Sequence, residues 1–272
     1  MKQEILNRKG ARKVMDIPDE VLDLLNQGKI ETVNLTEWLA VDHVELINYN
    51  LTHIVISENI SLQIIEKIKK QNTPTSMNTI RLVGASLYEY FQGKHELHAV
   101  RQALTNHVSD SIRCYAPFLT GLDQQLSISQ KLHQVQVLVA DKHFGVREIV
   151  WMALRPEIDL NLEQAIKILS GWASSKDENI RRFTTESIRP RGVWCKHIER
   201  LKTEPELALP VLEKLKTDSS KYVQDSVGNW LNDASKTSPD FVEDLCERWQ
   251  SESANKHTEK IIRKALRTLN KA

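Results

Sequence analysis

Two acidic residues, Glu186 and Asp233, are spaced so that their carboxylates could line one cleft. Glu186 lies six residues after Ile180, and Asp233 lies ten residues after Val223. If Ile180 and Val223 begin two stacked helices, about 100° per residue places both carboxylates on the same flank, away from the buried face. Stacked helices lie about 8–10 Å apart, so both acids would face one cleft.

Positive charge is concentrated around Glu186, although the whole chain has a net charge of only +1. Residues 180–202 contain seven arginines and lysines and two glutamates. Such a patch could bind a polyanion, whereas the alternative is a solvated helix face on which Glu186 pairs with Arg182 or Arg189. Trp194 follows the break at Arg189-Pro190-Arg191, where a loop could return it to the acids. The alternative is a core residue between helix pairs.

An internal repeat predicts the elements that position these residues. Val146, Ile180, Val223 and Thr258 follow one another at 34, 43 and 35 residues. Small or apolar residues recur three, four, seven and eight residues after most of these anchors, which is one face of a helix. Second helices are expected between them, near 162–172, 207–215 and 241–249. Helix pairs at this period are typical of an all-α, HEAT-like superhelix, a solenoid of antiparallel helix pairs.

The domain organisation follows from this repeat. We predict a flexible basic arm at residues 1–16, with Lys9, Arg12 and Lys13, and a single HEAT-like repeat domain at residues 17–272. The repeats are clearest over 141–272.

The composition and motifs argue against several other classes. Nine glycines and eight prolines are few for a β-sandwich or barrel, and the chain has no GxGxxG, GxxxxGK[ST] or GxSxG sequence. Three cysteines without a CxxC pair predict a reduced, cytoplasmic protein. No apolar run is long enough to span a membrane, and His95 and His98 lack the further ligands of a metal site. We therefore expect no metal, no cofactor and no membrane association.

The stretch 179–194 has the sequence Asn-Ile-Arg-Arg-Phe-Thr-Thr-Glu-Ser-Ile-Arg-Pro-Arg-Gly-Val-Trp. It resembles the AlkC branch of the HEAT-like DNA alkylation repair proteins (the AlkC/AlkD superfamily), whose members carry a similar arginine pair, Glu, Arg-Pro-Arg and Trp. Residues 144–156 and 221–236 are similar to the repeats before and after it. The resemblance is specific over about 140–250 and weaker over 10–140.

This resemblance implies a DNA glycosylase, a hydrolase that excises N-alkylated purines of the 3-methyladenine type from double-stranded DNA on a concave basic surface. A cationic base is already a good leaving group, so the enzyme needs negative charge beside the sugar and a positioned water. By resemblance, Glu186 would activate water or stabilise charge, Asp233 would support it, and Trp194 would pack against the lesion. The arginines expected to bind DNA are Arg147, Arg155, Arg181, Arg182, Arg189 and Arg191.

One departure from the family pattern concerns Trp151, which stands where the AlkC pattern has a second glutamate. The nearest acid is Glu148, about one helical turn earlier. Either Glu148 substitutes for the missing acid, or part of the catalytic set is lost. The sequence therefore leaves two alternatives to a glycosylase: a non-catalytic DNA-binding relative and a protein-interaction solenoid. We expect a monomer.

Overall fold

The computed structural model describes residues 3–54, 58–252 and 254–271. Within these ranges the regular structure is helical and no strand occurs, which confirms the predicted all-α class. The chain divides into two compact units. Unit 1 comprises residues 1–125 and 142–153, and unit 2 comprises residues 126–141 and 154–272. The sequence predicts a single repeat domain over residues 17–272, and the structure divides this range between the two units.

Unit 1 contains nine α-helices among its described residues, together with the first part of a tenth. They are α1 Gln3–Leu6, α2 Asp19–Asn26, α3 Leu35–Ala40, α4 His43–Asn50, α5 Glu58–Lys69, α6 Ser76–Phe91, α7 Leu97–Thr105, α8 Asp110–Arg113 and α9 Ala116–Gly121. Short 3-10 turns cover Val14–Asp16 and Leu51–His53.

The segment predicted to be a basic arm is attached to unit 1 in this structure. Arg8 donates from Nε and Nη2 to the two carboxylate oxygens of Glu37, at 2.9 and 2.7 Å. Asn34 Nδ2 also donates to the carbonyl of Ala11 at 2.8 Å. The basic side chains of Lys9, Arg12 and Lys13 are exposed.

Unit 2 contains the helices that carry the candidate site. They are α10 Ile128–Val139, α12 Leu162–Trp172, α13 Glu178–Glu186, α14 Arg200–Thr203, α15 Leu209–Leu215, α16 Lys221–Ala234, α17 Pro239–Glu252 and α18 Lys256–Ala265. Helix α11 Phe144–Leu160 begins in unit 1 and ends in unit 2. Further 3-10 turns cover Pro205–Ala208 and Leu269–Lys271.

The predicted repeat is visible in the packing of unit 2. Helices α13, α16 and α18 lie side by side, and α12 and α15 pack against each other as the second helices of their pairs. The predicted face is buried, for example at Phe183, Trp230 and Ile261. Trp230 Nε1 donates to the carbonyl of Ile188 at 2.9 Å, which attaches α16 to the end of α13. These helix pairs confirm the HEAT-like architecture.

None of the described helices combines the length and the apolar composition that crossing a membrane would require.

Candidate active site

Glu186 is the last residue of α13, and only 3% of its surface is exposed. The helix is held at its start by Asp177, whose side chain accepts a hydrogen bond from the backbone N–H of Asn179 at 2.7 Å. Arg182 Nη2 lies 3.1 Å from Glu186 Oε1, and Arg189 Nη1 donates to Glu186 Oε2 at 3.4 Å. Both pairings considered as the alternative to a catalytic role are therefore present.

Arg189 also binds Asp233, and so it connects the two predicted acids. Its Nε and Nη2 donate to Asp233 Oδ2 at 2.9 and 2.5 Å, while Lys236 Nζ donates to Asp233 Oδ1 at 3.0 Å. Burial alone would lower the pKa of Arg189, but Glu186 and Asp233 raise it above its ordinary value. We call Glu186, Arg189 and Asp233 the Arg189 network. The two acids share a guanidinium between α13 and α16.

One oxygen of Glu186 keeps unused acceptor capacity. Oε1 is covered by protein and, despite its proximity to Arg182, accepts no well-directed hydrogen bond. Arg182 instead donates from Nη1 to the carbonyl of Tyr222 at 3.0 Å, and its guanidinium lies 4.0 Å from the centre of the Tyr222 ring. A buried carboxylate oxygen that meets its cation as an ion pair, without a well-directed hydrogen bond, retains an acceptor lone pair. It could accept a proton or orient a water once Arg182 moves aside.

Trp194 lies in the loop of residues 187–199, which we call the Trp194 loop. Its side chain is 61% exposed, so the alternative of a core residue is wrong. Trp194 is also the one described non-glycine residue with a positive φ, at 59°. This left-handed conformation costs about 1–3 kcal/mol and persists only where surrounding contacts impose it. The loop therefore holds an aromatic face towards solvent.

Arg155 supplies contacts that fix the Trp194 loop. Its Nε donates to the carbonyl of Lys196 at 2.8 Å, Nη1 donates to the carbonyl of Ser187 at 3.1 Å, and Nη2 donates to the carbonyl of Arg189. Burial lowers the pKa of Arg155, and only 2% of its surface is exposed. The expectation that Arg155 binds DNA is therefore corrected, because its donors are directed to the backbone inside unit 2.

Gly192 shows how closely the loop is packed on Arg155. A Cβ atom at this position would lie 3.1 Å from Arg155 Cζ and 2.1 Å from Cys195 Sγ. A side chain at residue 192 would displace either the thiol or the guanidinium.

The other arginines expected to bind DNA are mostly paired within the protein. Arg181 binds Asp218 through two hydrogen bonds, at 2.6 and 3.0 Å. Arg182 and Arg189 bind Glu186 as described. Arg191 is half-buried and donates to the backbone carbonyl of Asp233 at 3.3 Å, without an acidic partner among the described residues. Most of the arginine charge on α13 and in the Trp194 loop is therefore neutralised.

Trp151 and Glu148 form a pair in unit 1. Trp151 Nε1 donates to Glu148 Oε2 at 3.0 Å, and the tryptophan is 4% exposed. Arg147, in the same helix, donates from Nη1 to the carbonyl of Lys142 at 2.9 Å. Trp151 is thus a core residue, and a catalytic contribution from Glu148 stays a prediction.

Three further residues shape the site without having been predicted from the sequence: Lys236, Tyr222 and Asp218. The spacing of three residues between Asp233 and Lys236 could have indicated their pairing. Tyr222 and Asp218 meet arginines of α13 through tertiary packing, and no local pattern indicates them. No group of three or more His, Cys, Asp and Glu side chains suited to a metal ion occurs in the described part of the chain.

The chain is similar to known proteins in sequence and in fold. The profile of a family described as DNA alkylation repair enzyme matches residues 133–269. A curated relative from Bacillus subtilis (strain 168), "Uncharacterized protein YhaZ", is 34% identical over 203 residues, which cover 72% of this chain and 53% of the relative. The chain therefore spans about half the length of that relative.

Solved structures with similar folds include the following two. One is the Pseudomonas fluorescens alkylpurine DNA glycosylase AlkC bound to DNA containing an abasic site analogue, at 23% identity and a TM-score of 0.67. The similarity covers 84% of this chain and 63% of that chain. The other is AlkD2 from Streptococcus mutans, at 24% identity and a TM-score of 0.59, covering 76% of this chain and 97% of that chain. At these identities the similarity establishes the fold.

Proposed function

The chain belongs to the DNA alkylation repair enzyme family, and from this premise we propose that it is a DNA glycosylase that excises N-alkylated purines of the 3-methyladenine type from double-stranded DNA. The observation that carries the proposal is the Arg189 network. Two buried carboxylates from successive repeats share one arginine there, inside the region that matches the family. The exposed aromatic face of Trp194 follows in the next loop.

The chemistry required is hydrolysis of the N-glycosidic bond. As the bond between C1′ and the base nitrogen breaks, its electron pair leaves with the base and neutralises the positive charge of the alkylated purine. Water oxygen forms the new bond to C1′, and Glu186 Oε1 takes the proton of that water. The carboxylate also stabilises the positive charge on the sugar in the transition state. None of these steps needs a metal or a redox cofactor.

Asp233 and Trp194 have supporting roles in this proposal. Asp233 holds the Arg189 guanidinium and thereby fixes the other oxygen of Glu186. The Trp194 ring packs against the alkylated nucleotide, where a cation–π interaction of about 0.5–2 kcal/mol favours a positively charged purine over a neutral one. Because Glu186 Oε1 is covered in the free protein, Arg182 must leave it when DNA binds.

The test is single-turnover release of bases from methylated genomic DNA. The wild-type protein is expected to release 3-methyladenine from methylated DNA and no base from untreated DNA. Glu186→Gln keeps the shape of the side chain but cannot take a proton, and we expect it to slow release by at least about 100-fold. Its affinity for DNA is expected to be retained. Wild-type release rates in Glu186→Gln would contradict the assignment.

A second candidate, a DNA-binding relative without excision activity, is favoured by one observation. Trp151, at the position where the AlkC pattern has a second glutamate, is buried and bonded to Glu148. If neither the wild-type protein nor Glu186→Gln releases a base while both bind duplex DNA, this candidate replaces the glycosylase.

A further inference from the structure

A cleft of about 410 Å³ in unit 2 is lined by basic side chains that do not belong to the Arg189 network. We call it the basic cleft, and its charged lining residues come from α16 and from α18 with the turn that follows α18. They are Lys221, Asp225, Lys260, Arg263, Lys264 and Arg267. Five cations therefore surround a single carboxylate.

The ion pairs inside the basic cleft leave most of its positive charge uncompensated. Lys221 Nζ and Lys264 Nζ both bind Asp225, at 2.5 and 2.7 Å, so one acid serves two lysines. Arg267 Nη2 donates to the neutral amide oxygen of Asn232 at 2.9 Å. Lys260 and Arg263 are exposed, and neither has an acidic partner in the described part of the chain.

The spacing of these residues aligns the cations in a row. Lys260, Arg263, Lys264 and Arg267 recur at three- and four-residue intervals, which places them on one side of α18 and its C-terminal turn. Gly228 of α16 lets that helix approach α18 closely, because a Cβ at this position would lie 2.8 Å from the Cβ of Lys264. The row on α18 therefore lies directly beside Lys221 and Asp225 of α16.

We infer that the basic cleft binds the phosphodiester backbone of duplex DNA, a deepening of the proposed function that rests on DNA as the substrate. A row of cations with little internal compensation matches a polymer that carries one negative charge on every nucleotide. The arginines also suit phosphate, because a guanidinium can donate two parallel hydrogen bonds to its oxygens. The contacts to the DNA backbone thus come from α16 and α18, rather than mainly from the arginines of α13, which are paired within the protein.

The experiment compares three double variants of the full chain in DNA binding by fluorescence anisotropy across a range of salt concentrations. Lys260→Gln/Arg263→Gln removes two exposed charges from the basic cleft. Lys167→Gln/Lys214→Gln removes the same charge from exposed positions on α12 and α15 and is the matched control. Lys260→Arg/Arg263→Lys keeps the charge and is expected to restore binding. The probe is an unmodified labelled duplex, and thermal unfolding confirms that each variant folds.

Removing two phosphate contacts is expected to reduce the slope of log affinity against log salt by about 1.8, and to weaken binding by up to about 60-fold at 0.1 M salt. The matched control is expected to change the slope by less than half as much. Equal losses in both charge-removing variants would overturn the inference, because net charge alone would then explain binding. Unchanged DNA binding of Lys260→Gln/Arg263→Gln, together with loss of its binding to a polyglutamate peptide, would overturn it in favour of an acidic protein partner.

Two outcomes distinguish a failure of DNA binding by the basic cleft from a failure of base excision. If the wild-type protein releases no base but its duplex binding depends on the basic cleft, the glycosylase proposal fails and the inference stands. If the wild-type protein releases 3-methyladenine and binds DNA equally well without the two cleft charges, the inference fails and the glycosylase proposal stands.

Discussion

Unit 2 contains two regions rich in arginine and lysine, and the fold gives their charges different surroundings. In the region of α13 and the Trp194 loop, acids from other repeats meet the arginines: Asp218 binds Arg181, and Asp233 binds Arg189. In the basic cleft, one carboxylate, Asp225, is shared by two lysines, while the exposed Lys260 and Arg263 beside it have no acidic partner among the residues that the structure describes.

This difference in surroundings gives buried and exposed arginines different roles. A charge that is largely buried needs a partner supplied by the protein, so Arg189 and Arg155 hold the carboxylates and the loop of the candidate site. A charge at the surface keeps its water and can exchange it for a ligand, as Arg263 can. The first region is therefore suited to positioning catalytic groups, and the second to binding a polyanion.

The largest effect on stability is expected from a substitution of Arg189. Arg189→Met leaves two buried carboxylates, Glu186 and Asp233, without their shared partner, and we expect the free energy of unfolding in urea to fall by about 3 kcal/mol. The matched substitution in the basic cleft, Arg263→Met, is expected to change it by less than about 0.5 kcal/mol.

Neutralising the acids provides the control for this prediction. In a Glu186→Gln/Asp233→Asn background, Arg189→Met is expected to lose most of its destabilising effect, because no buried carboxylate is left unpaired. Equal stability of Arg189→Met and Arg263→Met would show that the two regions do not differ as described.

A second, smaller effect is expected at Arg155. Arg155→Lys keeps the charge but offers one ammonium nitrogen in place of the three guanidinium nitrogens that bond the carbonyls of Ser187, Arg189 and Lys196, and we expect a loss of about 2 kcal/mol in unfolding free energy. Trypsin should then cleave faster after Lys196, in the Trp194 loop. The control is Arg200→Lys, the same substitution at an exposed position, and equal cleavage rates in the two variants would contradict a clamping role.

The smallest effect is expected from a substitution of Asp225, and it concerns DNA affinity in the basic cleft. Although burial raises its pKa, the bonds from Lys221 and Lys264 lower the pKa of Asp225 below its ordinary value, so it is ionised at neutral pH. Asp225→Asn removes the one carboxylate of the basic cleft, and we expect duplex affinity to rise by about eightfold at 0.1 M salt if one released lysine reaches a phosphate. Asp244→Asn, at an exposed position of α17, is the control, and an equal rise there would contradict the assignment.

The local pattern of the sequence was sufficient to predict the repeated helix pairs of unit 2, but not the short helix α14. The apolar periodicity after Ile180, Val223 and Thr258 corresponds to α13, α16 and α18, and the predicted second helices correspond to α12, α15 and α17. The same periodicity placed Glu186 and Asp233 on one flank, and the structure brings both to Arg189.

The charge distribution could not be predicted in the same way. Residues 180–202 look strongly basic in the sequence, but the acids that neutralise them are as far along the chain as Asp218 and Asp233 and meet them only through packing of α13 on α16. Four of the five cations of the basic cleft lie in one short stretch of sequence, residues 260–267, whereas Lys221 joins them only through the packing of α18 on α16. The sequence likewise does not show that Arg155 is buried, because its contacts with the Trp194 loop arise only in the folded protein.

The most direct measurement of the central claim is a single-turnover titration of methylated duplex DNA against Glu186→Gln and Lys260→Gln/Arg263→Gln in parallel with the wild-type protein. We expect Glu186→Gln to lower the maximal rate of base release and to leave the half-saturating DNA concentration near that of the wild type. We expect Lys260→Gln/Arg263→Gln mainly to raise the half-saturating concentration. The same change of both quantities in both variants, or the reverse assignment, would contradict the separation of chemistry and DNA binding between the two regions.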